Sequence, residues 1–255
     1  MDFVVVHIPH ASLSLPQEFR KSILLDDKAL YREICRMTDS YCDELYDAPE
    51  FPVRLCAKVS RLVCDMERFR DDKAESNARR GQGLMYTRTS LGRKLRENDP
   101  ALRERLLKDF YDPHHETLQS LVAIALAKHG KCLIIDGHSF HPRTIRHVDN
   151  IFGLPDFDIG TDPFHTPPDL RDALVERIKA AGFSVKVNNP FSGSMTPQKY
   201  YGKDKRVMSV MIEINRRLYE KNLIKNKDFE QIRAFCRELM LTARDAARNA
   251  ARNTA

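Results

Sequence analysis

No tryptophan occurs among the 255 residues, and no two cysteines stand in a CxxC spacing. The six cysteines, Cys35, Cys42, Cys56, Cys64, Cys132 and Cys236, are scattered, several of them in apolar runs where a thiol behaves as a small hydrophobe. That distribution argues against a disulfide framework and against a thiolate zinc site. Nothing approaches the 18 or so consecutive apolar residues that cross a bilayer. The opening MDFVVVHIPHAS has an acidic second residue and neither a basic leader nor an apolar signal core. The expectation is a cytoplasmic protein with no membrane partner. Also missing are GxSxG, the P-loop and GxGxxG, so a nucleophile elbow and the common phosphate cradles are set aside. None of the cysteines has an evident base beside it in sequence, which leaves no case for a thiol nucleophile.

What is present is an ordinary soluble composition, 42% hydrophobic and 31% charged, in a chain long enough to bury a substantial core. The net charge of +6 permits an anionic partner. Its arginines do not form one dense block with interleaved aromatics, so a nucleic-acid surface is not expected. Attraction for a small anionic substrate accounts for the sign.

The pattern of elements is that of an α/β protein. Phe3 to Val6 reads as a buried strand, followed by a helix opened by Pro16 and running through Glu18 to Cys35 with a break at Asp26-Asp27. The segment SYCDELY forms a short helix, and RLCAK and RLVCD are two strand-like pieces. Residues 71–83 read as a surface loop. A long helical pattern from Ser90 or Asp99 to Lys128 should be kinked or divided by Pro113. Cys132 to Ile135 is a short apolar run of the kind covered on both faces in a parallel sheet. Further strands are expected in 150–158, 183–187 and 207–214. A helix over 169–181 stops at Gly182, and a last helix runs from Lys227 into a frayed Ala/Arg tail. The expectation is a single domain over residues 1–255, with a mixed, mainly parallel sheet flanked by helices.

In such sheets chemistry gathers past the carboxyl ends of strands. Four expected strand ends carry polar groups: His10, Asp65 with Arg68, His138 after Asp136, and Glu213. Glu213 inside MSVMIEIN stands out, because burying a carboxylate costs several kcal/mol unless it is paired or ligated. A salt bridge to Arg216 or Arg217 is the competing explanation. Two histidines and a carboxylate around an open position make a hydrolytic zinc site. Asp39, Asp65 and Asp136 are the candidates for the carboxylate, one of them expected to orient a ligand histidine instead.

The ordered series HIPHAS, TDSYCDELYD, SRLVCDMERFRDD, YDPHHETL, IIDGHSF, NNPFSGSMTPQKYYG and VMIEINRRLY resembles the N-formylglutamate amidohydrolase family. The resemblance implies a zinc-carboxypeptidase-like (phosphorylase/hydrolase-like) fold, one divalent metal, zinc, and a metal-activated water. It implies His10 and His138 as ligands, Glu213 as general base, Asp65 in support of a ligand histidine, and Arg68 on a substrate carboxylate. Where the carboxypeptidase pattern places a glutamate three residues after the first histidine, this chain has Leu13, so the carboxylate ligand falls to Asp39. Glu67 stands where that pattern has asparagine before the arginine. Asp136 joins Asp65 as a supporting carboxylate, and Tyr200 and Arg216 are further candidates for substrate contact. The implied reaction is hydrolysis of a small N-acyl, above all N-formyl, acidic amino acid. Another N-acyl or peptide-like substrate, or a metal-free anion-binding protein on the same fold, are the alternatives.

Overall fold

The computed structural model describes residues 2–141, 153–221 and 223–250. Its backbone clusters into two compact units, one of Met1–Ile8, Tyr41–Leu55 and Leu118–Ala255, the other of Pro9–Ser40 and Cys56–Thr117.

A six-stranded sheet organises the first unit. Its strands are β1 (Val4–Ile8), β2 (Arg54–Cys56), β3 (Cys132–Phe140), β4 (Phe157–Gly160), β5 (Val185–Val187) and β6 (Val207–Asn215), in the order β2-β1-β3-β6-β4-β5. β1, β3 and β6 run parallel; β4 is antiparallel to β6, and β5 is parallel to β4. The sheet is therefore mixed and mainly parallel, as the sequence suggests. Alternation sorts the side chains of β3. Cys132 and Ile134 join Val5 and Val207 against Leu118, Val122 and Ala125 of helix α5 (Asp112–His129). The odd-numbered residues of β3 face the other way, towards α3 (Cys42–Leu45) and α7 (Phe229–Ala250), both of which touch this strand. Covered on both faces, the run Leu133-Ile134-Ile135 is fully buried, which stabilises by roughly 1.5–3 kcal/mol per side chain. Helix α6 (Pro168–Ala180) packs on α7, β4 and β5, and ends ahead of Gly182 at φ +83°.

The second unit holds α1 (Gln17–Arg20), α2 (Asp27–Met37) and α4 (Pro100–Leu106) around two apolar clusters. The expected break at Asp26-Asp27 is a helix start: the Asp26 carboxylate accepts the Ala29 N–H and caps α2. Asp99 does the same for α4 through the N–H groups of Ala101 and Leu102, with Pro100 in the first turn where it lacks nothing.

Several expectations shift. RLVCD is not a strand: Val63 and Cys64 turn back to the Ser60 carbonyl, and their side chains sit in an apolar cluster of the second unit. Residues 76–80 of the expected loop form a 3-10 turn. A π-helical turn, Leu107–Tyr111, links α4 to α5, so the interruption falls just ahead of Pro113. The strand expected in 150–158 begins at Phe157, and its first three residues lie outside the described part, as does the end of the tail beyond Ala250. Most consequential, β3 does not stop at Ile135 but runs on to Phe140.

Gly137 is where β3 meets Tyr46. A Cβ there would stand 2.7 Å from Cδ2 of the buried Tyr46 ring, whose hydroxyl donates to the carbonyls of Ile212 at 2.7 Å and His138 at 3.2 Å. Gly137→Ala should therefore cost about 1–3 kcal/mol in overpacking, read as a lower urea midpoint; an unchanged midpoint would mean that the ring yields freely.

Candidate active site

On the α5 face of the sheet the apolar residues give way to a polar group along the strand direction. β1 and β3 are in register at His7 with Asp136, β3 and β6 at His138 with Glu213, and β6 and β4 at Glu213 with Asp158. Registered residues share a face, so the pairing of strands sets these groups side by side. The ladder to β1 ends at Asp136, because Pro9 has no N–H to continue it, while the ladder to β6 carries β3 on to Phe140. Asp136, His138 and Glu213 thus sit within strands, not in turns beyond them.

Asp136 is fully buried and ties two imidazoles. Its Oδ1 lies 2.8 Å from His7 Nδ1 and 3.2 Å from His138 Nε2, and its Oδ2 accepts the Met195 N–H at 2.9 Å. Burial alone would raise its pKa; the neighbouring His138 and His7 outweigh that and hold the carboxyl well below the usual range. Asp158 goes the other way. Burial pushes it up to about 6 despite the N–H groups of Phe191 and Asn189 that bind its two oxygens.

In the second unit the organising group is Asp65, also fully buried. Its Oδ1 lies 2.7 Å from His10 Nε2 and accepts the Glu67 N–H at 3.0 Å. Its Oδ2 accepts Arg61 Nη2 at 2.8 Å, Arg61 Nε at 3.1 Å and the Tyr86 hydroxyl at 2.6 Å. Burial again acts to raise this carboxyl, and the guanidiniums of Arg61 and Arg68 with His10 overcome it, so it stays well below the ordinary range. With Nε2 on Asp65, His10 turns Nδ1 towards two more carboxylates, Asp39 Oδ2 and Glu67 Oε2, each at 3.7 Å. The backbone backs this arrangement, since Asp39 N–H donates to the His10 carbonyl at 2.9 Å.

That separation is informative. It is too long for a hydrogen bond, yet two ligands bound to zinc at about 2.0–2.2 Å each stand no more than about 4.4 Å apart. A histidine held by a buried carboxylate on one nitrogen, with acidic groups off the other, is the donor set that a divalent cation takes. In the second unit His10 with Glu67 belongs to such a grouping, and in the first unit His7 is held by Asp136.

The Arg68 side chain is 18% exposed; its Nε donates to the Gln82 carbonyl at 3.2 Å and lies 3.6 Å from Asp65 Oδ2. Tyr200 packs in the apolar cluster under α5. Arg216 is buried, with Nη1 3.8 Å from Glu220 Oε1. The structure also adds residues that the sequence pattern passed over, His7, Asp158, Arg61 and Tyr86, and sets Glu67, noted above only as a departure beside Arg68, against His10. His7 had a signal, a second histidine in HIPH at the end of an apolar run. The others gain meaning only from register or packing.

The sheet and the buried histidine–carboxylate groupings together define an α/β protein with donor sets that could hold a metal ion. The chain belongs to the N-formylglutamate amidohydrolase family, whose family model matches residues 3–220. It is 29% identical over 223 residues to N-formylglutamate deformylase of Pseudomonas aeruginosa, covering 83% of this chain and 79% of that one. The deformylase of Pseudomonas putida is 27% identical over 236 residues, with 85% and 81% covered. Among solved structures, N-formylglutamate amidohydrolase of Ralstonia eutropha JMP134 shares the fold with a TM-score of 0.79, at 22% identity, over 95% of this chain and 92% of that one.

Removing the charge of Asp65 isolates its role. Asp65→Asn leaves the Arg61 guanidinium, 12% exposed, facing a neutral amide. A loss of about 3–5 kcal/mol is expected from breaking a buried pair, measured by chemical denaturation of metal-free protein. A loss below about 1 kcal/mol would mean that Arg61 finds another anion.

Proposed function

We propose that this chain is a zinc-dependent amidohydrolase that cleaves N-formyl-L-glutamate to formate and glutamate. The observation that carries the reading is the family match through 218 of the 255 residues (3 to 220 inclusive), joined to histidines that are each held by a buried aspartate. The match runs through both compact units, which supports treating residues 1–255 as one functional domain.

The proposed ligands are His10 and His138, with Asp39 as the carboxylate and Glu67 as its competitor for that place. Imidazole and carboxylate donors suit zinc, which when bound supplies the Lewis acidity that polarises an amide carbonyl and makes water acidic near neutral pH. The chain's own groups do the rest. Asp65 and Asp136 fix the orientation and tautomer of His10 and His138. Glu213 accepts the proton of the attacking water and passes it to the departing amine. Arg68 pairs with a substrate carboxylate, where a planar fork fixes direction as well as charge. Tyr200 and Arg216 complete the proposed substrate-contact set. Both are buried, which suits the wall of a pocket better than a moving cover.

The deciding measurement is formate release from N-formyl-L-glutamate by metal-analysed protein, set beside N-acetyl and N-succinyl analogues. Zinc near one equivalent and preference for the formyl compound are expected; turnover of an analogue alone would reassign the acyl group, and metal-free inactive protein would leave an anion binder. Glu213→Gln should lower kcat by about 10²–10⁴-fold with zinc retained, and normal turnover would remove Glu213 as the base. His138→Ala should lose zinc and turnover together. Arg68→Ala should act chiefly on KM for acidic substrates.

A further inference from the structure

A second cluster of positive charge lies in the second unit, formed by residues that the hydrolytic reading leaves unused. Arg32 and Arg36 stand on α2 at i and i+4, a spacing that puts like charges on one helix face and destabilises it. Arg93 comes to the same place from the loop 89–93, and the three arginines line a cavity of about 80 Å³ with Glu33, Thr89 and Leu91.

The cavity is built, not incidental. Glu33, 2% exposed, accepts the Ser90 N–H on one carboxylate oxygen and the Ser90 hydroxyl at 3.0 Å on the other. Arg93 N–H donates to Thr89 Oγ1 at 3.0 Å, closing the loop on itself. The loop bearing Arg93 is thereby pinned to the helix bearing Arg32 and Arg36. The one carboxylate in the lining is engaged by Ser90 and lies 3.5 Å from Arg36. Among the described residues, neither Arg32 nor Arg93 is ion-paired, so three guanidiniums against one carboxylate leave a surplus of two positive charges. A water molecule needs roughly 10–15 Å³ of such space; this cavity has room for several, or for one small ion.

We propose that this cavity binds a small doubly charged oxyanion, inorganic phosphate or the phosphate of a phosphomonoester, between Arg32, Arg36 and Arg93. Guanidiniums match the geometry of tetrahedral oxyanions through paired N–H donors. The surplus charge matches a dianion, and such a ligand relieves the repulsion along α2 while tightening the 89–93 loop.

Calorimetric titration with inorganic phosphate, at ionic strength held constant with sodium chloride, tests this in the full-length protein. One site is expected, weakened at least tenfold in an Arg32→Gln/Arg93→Gln double variant. Both side chains are exposed, so folding should persist, as circular dichroism will check. Glycerol phosphate in a second titration separates the free anion from the phosphomonoester: the tighter binder is the ligand class. Crystals soaked in selenate should show anomalous density among the three arginines. Equal affinity in the double variant, no phosphate binding by the wild type, or selenate only at other positions would each overturn the proposal.

Discussion

A carboxylate can be hidden from water only if something replaces the water. Asp65 is hidden completely, and Arg61, Tyr86, a backbone N–H and His10 together fill its two oxygens. The cost of desolvating an ion pair is often as large as its attraction, so this arrangement is poor evidence of selection for stability alone. Its use is positional. With Oδ2 taken by Arg61 and Tyr86, Oδ1 has a fixed direction, and the His10 ring must follow it. The ring's other nitrogen is then aimed at Asp39 and Glu67 without needing either as a hydrogen-bond partner. Loosening Asp65 would loosen all of this, which is why the second unit depends on a contact that involves no substrate.

The first unit reaches a similar end by different means. Asp136 lies in mid-strand, and its neighbours come from register instead of a salt-bridge network: His7 from β1 beside it, His138 two residues along the same face. Parallel pairing of three strands does what Arg61 does elsewhere, holding the carboxylate and its imidazoles in a fixed relation. The same face is apolar lower down, where Ile134 and Val5 pack under α5. One side of one sheet thus serves as core and as chemical surface, and the change falls where β1 gives out at Pro9.

Much of the fold was legible because it follows local rules. The runs at Val4, Cys132 and Val207 read as strands by composition, and Asp99 was one of two expected helix starts, whereas Asp26, which caps α2, read only as a break within a longer helix. RLVCD misled because its apolar residues are buried by a turn, and burial without periodicity does not distinguish the two. The chemistry of DGHS was legible while its placement was not: a glycine beside a charged residue suggests a turn, yet pairing with β6 keeps the strand going. His10, His138 and Asp65 were singled out from residue type and position, and Asp39 with the help of the family resemblance. Asp158 beside Glu213, or Glu67 beside His10, could not be, since cross-strand register and the folding back of a loop join residues with no relation in sequence.

Charge balance in the second unit bears on why an acidic substrate is a sensible expectation despite Glu67. Asp39, Asp65 and Glu67 contribute three negative charges, and Arg61 and Arg68 two positive ones, leaving an excess of one negative charge before any ion is counted. That balance would repel a dicarboxylate. A divalent cation reverses it to one net positive charge, and the ion's own charge cannot be left out of the local electrostatics. On the proposed function Glu67 would then have a physical reason to stand beside Arg68: as a further donor off His10 it would favour a cation there and, through that cation, offset its own repulsion of an acidic substrate. With Arg61 already committed to Asp65, Arg68 is the guanidinium that the proposed function would leave for the substrate's charge.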